Sequence, residues 1–394
     1  MRYILLLVVL VLVIFIDAAR VVVGYADYEN FKKGLRDLNT TGDITLVKHI
    51  AEVKAVVLKV PDHKVSDLSK KLNVRYVEED KIAYVTSFST YSDVQWNLKM
   101  INVPNVWDIY FPILGDAVFG YGVVVAVLDT GIDYNHRELR GKVVYCINTV
   151  GTRLYRGTNL RNCADRNGHG THVAGIIAAS LDNYGVAGVV PKVRLIAVKV
   201  LSDSGSGYYS DIAEGIVEAV KAGAHIISMS LGGPSDSNVL RDASYWAYTQ
   251  GVVQVAAAGN SGDGDPSTNN VAYPARYSWV IAVGAVDSDY TVPTWSSDGV
   301  EVDVVAPGVN ILSTYPGGRY VYMSGTSMAA PHVSGVVAMI QAMRAASGLR
   351  LLTPDEVYEV ITSTARDIGP LGFDVFSGYG LVDAAAAIQL ALTK

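Results

Sequence analysis

The spacing of apolar residues changes twice along this chain of 394 residues. Ile4 to Ile16 is an unbroken apolar run. Residues 20–85 alternate short strand-like runs with helical spacing, as in Tyr28 to Leu38. Beyond Val94, longer β-branched runs are separated by amphipathic helical stretches. The three patterns predict a leader segment, a small domain and a large domain.

Residues 1–19 have the features of a secretory signal peptide. Arg2 supplies an early positive charge, and Asp17-Ala18-Ala19 supplies small residues after the apolar run. The run is shorter than the ~20 residues that a membrane-spanning helix needs. An uncleaved anchor is the alternative, because Val21 to Val23 extend the apolar character. A cleaved signal predicts that the protein is exported.

Residues 20–90 predict a small α+β unit. Its expected strands and helices, in chain order, are Arg20 to Tyr25, Tyr28 to Leu38, Val53 to Val60, His63 to Leu72, Val74 to Glu78 and Ile82 to Val85. The polar stretch Thr86 to Asp93 has no periodicity and predicts a linker.

The large domain, residues 91–394, has the pattern of an α/β fold. Its apolar runs are Val123 to Leu128, Val193 to Leu201, Ile226 to Leu231, Val252 to Ala258 and Val280 to Val286. Helical stretches such as Ser210 to Ala222 and Val239 to Tyr248 lie between them. This alternation predicts a parallel sheet that is covered by helices on both faces. Functional residues are expected at the carboxyl ends of its strands.

Composition and charge narrow the class of protein. Half of the residues are hydrophobic and 18% are charged, which excludes disorder along most of the chain. The net charge of −6, without a dominant basic patch, argues against nucleic acid as a partner. Residues 20–90 hold 12 Lys and Arg against 10 Asp and Glu, a charge of +2, which leaves −8 for residues 91–394.

Cys146 and Cys163 are the two cysteines of the chain, which excludes a zinc site of four thiolates. Export would permit a disulfide between them. Two unpaired cysteines that act as small hydrophobic residues are the alternative.

Two motifs place an acid and two histidines near strand ends. Asp129 ends an apolar strand, where an acidic residue often only caps the next turn. His169 and His172 lie three residues apart at the start of a helical stretch. They allow a zinc hydrolase as an alternative, although zinc proteases space their histidines four apart around a glutamate. The small residues beside His169 favour an open cleft, whereas His172 is expected in the core.

The third motif is the stretch from Gly325 to His332, which precedes an apolar helix. A serine at such a place is often an N-cap. Ser327, however, lies among small residues, and a helix N-terminus favours developing negative charge. Pro331 is tolerated in the first turn, where backbone N–H groups have no intrahelical partner.

The order Asp129, His169, Ser327 resembles that of the subtilisin family of serine proteases, for which this order is established. The resemblance covers residues 20 to about 390. It implies that Ser327 is the nucleophile, His169 its general base and Asp129 the group that orients His169. Asn260, at the end of Ala256 to Asn260, resembles the family's oxyanion-hole donor.

The resemblance also implies a cleft for extended peptides. Gly205-Ser206-Gly207 and Ser230-Leu231-Gly232 correspond to its two walls, with Gly207 and Gly232 expected to leave space for the peptide. Gly259 and Ala272 are expected to line the pocket for the P1 residue, the residue before the scissile bond. Since no acid is evident there, a broad, apolar P1 preference follows.

Calcium is the cofactor that the resemblance implies. Glu138 and Asp182 are the expected carboxylate ligands, with the backbone carbonyls of Ser180, Tyr184 and Val186. A solvated turn is the alternative. Ser92 or Asp93 falls where the family has a glutamine ligand, so that ligand is in doubt.

The resemblance further implies that residues 20–90 form a ferredoxin-like propeptide, which assists folding, inhibits the enzyme and is removed by the enzyme itself. The expected protein is then secreted, free of the membrane after processing, and partnered by polypeptide substrates and its own propeptide. A catalytically inactive binding protein of the same fold is the alternative.

Overall fold

The computed structural model describes residues 18–38, 44–70, 73–85, 95–182 and 184–394. The predicted signal peptide lies outside the described residues except for Ala18 and Ala19, and the predicted linker lies wholly outside them. The chain divides between Glu79 and Asp80 into two units. No helix among the described residues has the length and apolar character to cross a membrane.

The first unit has a four-stranded antiparallel sheet in the order β2-β3-β1-β4. Its elements are β1 (Ala18–Tyr25), α1 (Tyr28–Leu38), β2 (Thr45–Ile50), β3 (Ala55–Pro61), α2 (Asp62–Leu68) and β4 (Val74–Glu79). This βαββαβ order is ferredoxin-like. Its core comes mainly from β1 and β3, with Phe31 of α1 and Leu68 of α2.

Strand β2 is absent from the predicted elements, and its sequence gives the reason. The pairing of β2 with β3 shifts register between Leu46 and Lys48. Such a bulge breaks the alternation of buried and exposed positions from which a strand is predicted.

The second unit contains an eight-stranded sheet in the order β15-β14-β13-β11-β6-β9-β7-β8. All neighbouring strands are parallel except β7 and β8. Its strands are β6 (Val124–Asp129), β7 (Val143–Asn148), β8 (Tyr155–Gly157), β9 (Arg194–Lys199), β11 (Ile226–Met229), β13 (Val253–Ala257), β14 (Ile281–Val286) and β15 (Val304–Pro307). The predicted parallel sheet is confirmed.

Helices and two small sheets complete this unit. The helices are α3 (Trp96–Met100), α4 (Val103–Leu114), α5 (His169–Ala178), α6 (Tyr209–Lys221), α7 (Asn238–Thr249), α8 (Thr326–Ala346), α9 (Pro354–Ser363) and α10 (Ala384–Ala391). Strands β5 (Ile82–Val85), β10 (Ser206–Tyr208) and β12 (Leu231–Gly232) form one small sheet, and β16 (Ile311–Tyr315) and β17 (Arg319–Met323) form a hairpin.

The sheet has a topological switch point at β6. The chain continues from β6 to β7 and β9 on one side, and then crosses to β11, β13, β14 and β15 on the other. Crevices for ligands form at the carboxyl ends of strands where the strand order reverses in this way. Asp129, the last residue of β6, therefore lies at the position expected for a functional site.

Helix α8 is buried along nearly its whole length, including its polar residues Ser327 and His332. It packs against α5, β11, β13 and β14. A helix that is mostly apolar on all sides is expected in the interior of a large domain. This burial gives the N-terminus of α8 a defined position at the edge of the sheet.

The Sγ atoms of Cys146 and Cys163 lie 2.07 Å apart, as in a disulfide. Cys146 belongs to β7, and Cys163 lies six residues before His169. The bond therefore attaches the segment that leads to α5 to the central sheet.

Candidate active site

Asp129 and His169 meet at the carboxyl end of β6. His169 is the first residue of α5, and Gly168 before it has a φ of 109°, a conformation that favours glycine. The Nδ1 atom of His169 lies 2.8 and 2.9 Å from the two carboxylate oxygens of Asp129. Both side chains are buried. Since a carboxylate only accepts, Nδ1 carries the hydrogen, and Nε2 is left as the acceptor.

The Nε2 atom of His169 is buried and has no hydrogen-bond partner among the residues that the structure describes. An acceptor nitrogen in that state, held by a carboxylate on its other side, is suited to take a proton from a nearby hydroxyl. The pair therefore has the chemistry of a general base.

Ser327 is the second residue of α8 and is linked to the end of β11. Its Oγ donates to the carbonyl oxygen of Ser230 at 3.1 Å, and the Ser230 hydroxyl donates to the carbonyl oxygen of Ser327 at 2.7 Å. Strands β11 and β6 are adjacent, with Met229 opposite Leu128. Ser230 and Asp129, the next residues, thus end neighbouring strands, and Ser327 belongs to the same edge of the sheet.

The side chain of Asn260 is fixed by the start of α8. Its Oδ1 accepts hydrogen bonds from the backbone N–H and the hydroxyl of Thr326, both at 2.9 Å. Its Nδ2 is buried, and none of the described residues accepts a hydrogen bond from it. An unsatisfied buried donor costs about 1–3 kcal/mol, so this amide is suited to a ligand oxygen. The sequence did not indicate that Thr326 orients Asn260.

The two predicted cleft segments have an extended strand of this chain between them. Strand β5 pairs antiparallel with β10, with Gly207 opposite Ala83, and with β12, with Leu231 opposite Val85. Gly205 lies next to β10 and Ser230 next to β12. The backbone of both walls is therefore able to bind a peptide by strand addition.

The two cleft glycines also fit closely against other parts of the protein. A β-carbon on Gly207 would lie 2.3 Å from the carbonyl oxygen of Val200, and one on Gly232 would lie 2.9 Å from the β-carbon of Ala272. Packing within the protein therefore also favours glycine at both positions, and the expected approach of a peptide stays a prediction.

A cavity of about 440 Å³ lies beside Asn260. Its lining includes the predicted residues Gly232, Gly259 and Ala272, and no aspartate or glutamate is among the described residues that line it. Arg276, which the sequence analysis missed, also lines it, and its Nε lies 3.2 Å from Oε1 of Glu301.

The predicted calcium loop surrounds a cavity of about 240 Å³, whose lining includes Ser180, Asp182, Tyr184 and Val186. Gln95 also lines it, so a glutamine is present although Ser92 and Asp93 were expected in its region. The Nε2 of Gln95 donates to the carbonyl oxygen of Ala187, which leaves the side-chain oxygen for a cation.

Glu138 borders this loop but is not part of the cavity lining. Its Oε1 accepts a hydrogen bond from the Tyr320 hydroxyl at 2.6 Å, and its buried Oε2 has no partner in the described part of the chain, which omits residue 183. Burial raises the pKa of Glu138 above its usual value. Among the described residues, no group of three or more His, Cys, Asp or Glu could hold a metal ion. The oxygens present nevertheless fit calcium, which accepts carbonyl and amide oxygens beside carboxylates.

His172 and His332 are core histidines. The Nε2 of His172 donates to the carbonyl oxygens of Ile311 and Val321, at 3.0 and 3.1 Å. Burial lowers the pKa of His172 to about 3 and that of His332 to about 4. Since Nε2 of His172 carries the hydrogen of the neutral ring, this nitrogen is not available as the zinc ligand of the alternative interpretation.

A buried carboxylate–imidazole pair and a serine at a helix N-terminus lie at the same edge of a parallel sheet, at its switch point. These features define an α/β serine hydrolase. Residues 120–380 match the Subtilase family, Peptidase S8. The chain belongs to this family and is a serine endopeptidase.

Individual relatives agree with this assignment. Subtilisin DY from Bacillus licheniformis is 46% identical over 270 residues, which cover 68% of this chain and 92% of that protein. The major intracellular serine protease of Bacillus subtilis (strain 168) is 44% identical over 280 residues, covering 70% and 85%. The crystal structure of fervidolysin from Fervidobacterium pennivorans, a keratinolytic enzyme related to subtilisin, has a TM-score of 0.80 and 29% identity. That comparison covers 94% of this chain and 61% of the fervidolysin chain.

Burial of His332 gives the stability of the protein a dependence on pH. Its Nδ1 donates to the carbonyl oxygen of Met328 and its Nε2 accepts from the amide of Asn97, both at 2.8 Å, so folding favours the neutral ring. The unfolded chain binds a proton near pH 6.5 and the folded chain only near pH 4. This contribution to stability is present above pH 6.5 and is lost as the pH falls toward 4.

We predict that His332→Gln, made in an inactive Ser327→Ala background, reduces the pH slope of the unfolding free energy. The reduction is up to about 1.4 kcal/mol per pH unit between pH 4 and 6.5. Chemical denaturation at several pH values measures it, and above pH 7 the two slopes should agree as a control. Equal slopes below pH 6 would show that His332 is not buried in its neutral form.

Proposed function

We propose that this chain is the precursor of a secreted endopeptidase that cleaves polypeptides through Ser327, His169 and Asp129 and removes its own propeptide. The observation that carries the proposal is the buried contact between Asp129 and His169, which leaves Nε2 of His169 as an unoccupied acceptor. A binding protein of the same fold would have no use for an acceptor that is buried and unsatisfied.

The mechanism begins when the Ser327 hydroxyl turns from the carbonyl oxygen of Ser230 toward Nε2 of His169. His169 takes the proton as Oγ attacks the carbonyl carbon of the substrate, and Asp129 stabilises the imidazolium. His169 then protonates the leaving amine, and the acyl group remains on Ser327. A water molecule, deprotonated by His169, hydrolyses this ester and restores the serine.

The oxyanion of the tetrahedral intermediate requires donors that are already in place. The Nδ2 of Asn260 and the backbone N–H of Ser327 are the proposed donors. Both belong to structure fixed by Thr326, so little reorganisation accompanies the reaction. Removal of the corresponding asparagine in subtilisin itself costs about 10²–10³ in kcat, and we expect the same for Asn260.

The substrate is proposed to lie as an extended strand between Gly205–Gly207 and Ser230–Gly232, as β5 does. The side chain of the P1 residue would enter the cavity beside Gly259 and Ala272. The described residues that line this cavity include no carboxylate to pair with a lysine or arginine, and nearby Glu301 is already paired with Arg276. A broad, apolar P1 preference therefore remains the expectation.

Residues 20–90 are proposed to be the propeptide. Strand β5, near its predicted end, pairs with both cleft segments that would bind substrate. This pairing supports the proposal that the propeptide inhibits the enzyme until the propeptide is removed. Asp80 precedes β5 and is buried, where its carboxylate accepts hydrogen bonds from the backbone N–H and the hydroxyl of Ser210. A carboxylate at the N-terminus of a helix, here α6, is favourable.

Secretion is proposed from the signal-like residues 1–19 and from the disulfide between Cys146 and Cys163, since disulfides persist in oxidising compartments.

Calcium is the proposed structural cofactor. Glu138, Asp182 and the side-chain oxygen of Gln95 would hold it, together with the carbonyl oxygens of Ser180, Tyr184 and Val186. When bound, the ion would contribute charge neutralisation and a cross-link of this loop.

Ser327→Ala tests the proposed nucleophile. We expect no detectable hydrolysis of peptides that wild type cleaves, although the variant should still unfold cooperatively, because only one hydroxyl is lost. Wild-type turnover by Ser327→Ala would contradict the mechanism.

Among otherwise identical peptides, wild type should give a higher kcat/KM for Phe or Leu at P1 than for Lys or Arg.

The same variant tests self-processing. Ser327→Ala should accumulate as a chain that starts near Arg20, whereas wild type recovered from the medium should start between Val85 and Val94. N-terminal sequencing of both proteins measures this. Processing of purified Ser327→Ala at the same bonds, in a preparation free of other proteases, would show that another enzyme makes the cut.

Calcium should raise the melting temperature, because an ion that binds only the folded state stabilises it by about 2.7 kcal/mol at a hundredfold excess over Kd. We expect this in Ser327→Ala protein titrated with calcium after chelation. Glu138→Gln should lose most of the rise, and Asp289→Asn, a change in an exposed turn, should keep it. The same melting temperature in calcium and in chelator would remove calcium from the proposal.

A further inference from the structure

Asp165 is a buried carboxylate that the proposed mechanism does not use. It is 6% exposed and lies four residues before His169, in the segment that follows Cys163. Burial of a carboxylate is costly unless hydrogen bonds compensate it. Its partners therefore indicate what it does.

The two oxygens of Asp165 hold two different pieces of backbone. Oδ1 accepts from the backbone N–H of Asn167 at 3.0 Å and that of Gly168 at 2.9 Å. Oδ2 accepts from the backbone N–H and the hydroxyl of Thr171, at 2.9 and 2.6 Å. These donors lie on both sides of His169, so the carboxylate fixes the first turn of α5 around the histidine.

Asp165 also reaches the strand that carries the catalytic aspartate. Its Oδ1 accepts a third hydrogen bond, from the hydroxyl of Thr130 at 2.9 Å. The same hydroxyl accepts from the backbone N–H of Gly170 at 3.0 Å. The backbone N–H of Thr130 donates to Oδ1 of Asp129 at 2.7 Å. Thr130 thus connects the carboxylate of Asp129, the helix of His169 and Asp165.

The fit between β6 and α5 leaves little room for adjustment. A β-carbon added to Gly170 would lie 2.2 Å from the carbonyl oxygen of Gly131, and Thr171 accepts a hydrogen bond from the backbone N–H of Asp133 at 2.9 Å. Polar contacts between the two elements fix their relative position. Asp165 accepts hydrogen bonds from both of them, from Thr130 after β6 and from Thr171 in α5.

We propose that Asp165 is a positioning residue for catalysis, which acts through Thr130 and Thr171 to hold His169 against Asp129. This inference rests on the proposed function of Asp129 and His169. Without the carboxylate, five donors lose their acceptor and the first turn of α5 is free to shift. A displacement of about 1 Å in a catalytic group costs on the order of 10²-fold in rate.

The test compares Asp165→Ala with Asp374→Ala. Asp374 is a matched control, because its carboxylate also accepts from two backbone N–H groups and a hydroxyl, those of Phe376 and Ser377, in a loop outside the described cleft. In proteins shown to be folded by thermal unfolding, Asp165→Ala should lower kcat by about 100-fold. Its KM should stay within about threefold of wild type, since the cleft walls are unchanged, and Asp374→Ala should keep wild-type kcat.

Asp165→Asn adds a readout that a purely structural role would not move. Its amide oxygen is able to accept the three bonds now made to Oδ1, so it should recover about tenfold of the lost kcat. If Asp165→Ala does not fold, Thr130→Val serves instead, because it removes the hydroxyl that joins Asp165 to β6 at nearly constant volume, and it too should lower kcat.

A wild-type kcat in folded Asp165→Ala, or an equal loss in Asp374→Ala, would overturn the proposal. So would a wild-type kcat in Thr130→Val. Failure of the proposed function gives a different result, since wild type itself would then cleave no peptide.

Discussion

The contact between the carboxylate of Asp129 and the imidazole of His169 is the constraint on which the site depends. Both groups are removed from water, and the imidazole is held through one nitrogen, so that the other is left as an acceptor without a partner among the described residues. The contact depends on the arrangement of β6 and α5. The glycines at positions 168 and 170, the hydroxyl of Thr130 and the carboxylate of Asp165 all serve that arrangement.

The second group of interactions fixes the position of Ser327. Helix α8 is buried, and its first turn is attached to β11 through Ser230 and to the end of β13 through Asn260. One of the two predicted cleft segments starts from the same place, because Ser230 leads directly into β12. Ser327, Asn260 and this cleft segment therefore share one set of backbone contacts.

The sequence predicted the parallel sheet because its strands are continuous β-branched runs that no helix period fits. It also singled out Asp129, His169 and Ser327, since each lies in a short motif of distinctive composition, and the structure brings Asp129 and His169 into contact. It missed strand β2, where a bulge disrupts the alternation of buried and exposed positions. It also missed residues whose roles depend on contacts with parts of the chain far away in sequence. Thr326, Arg276 and Gln95 carry no local pattern, because their partners are distant in the chain.

The most direct test of the central claim is mass spectrometry after reaction with a serine-directed phosphonate. Wild type should carry one adduct, on the peptide that contains Ser327, and His169→Ala should carry none, because the hydroxyl then has no base. Reaction at another serine, or equal labelling of Ser327 without His169, would contradict the account.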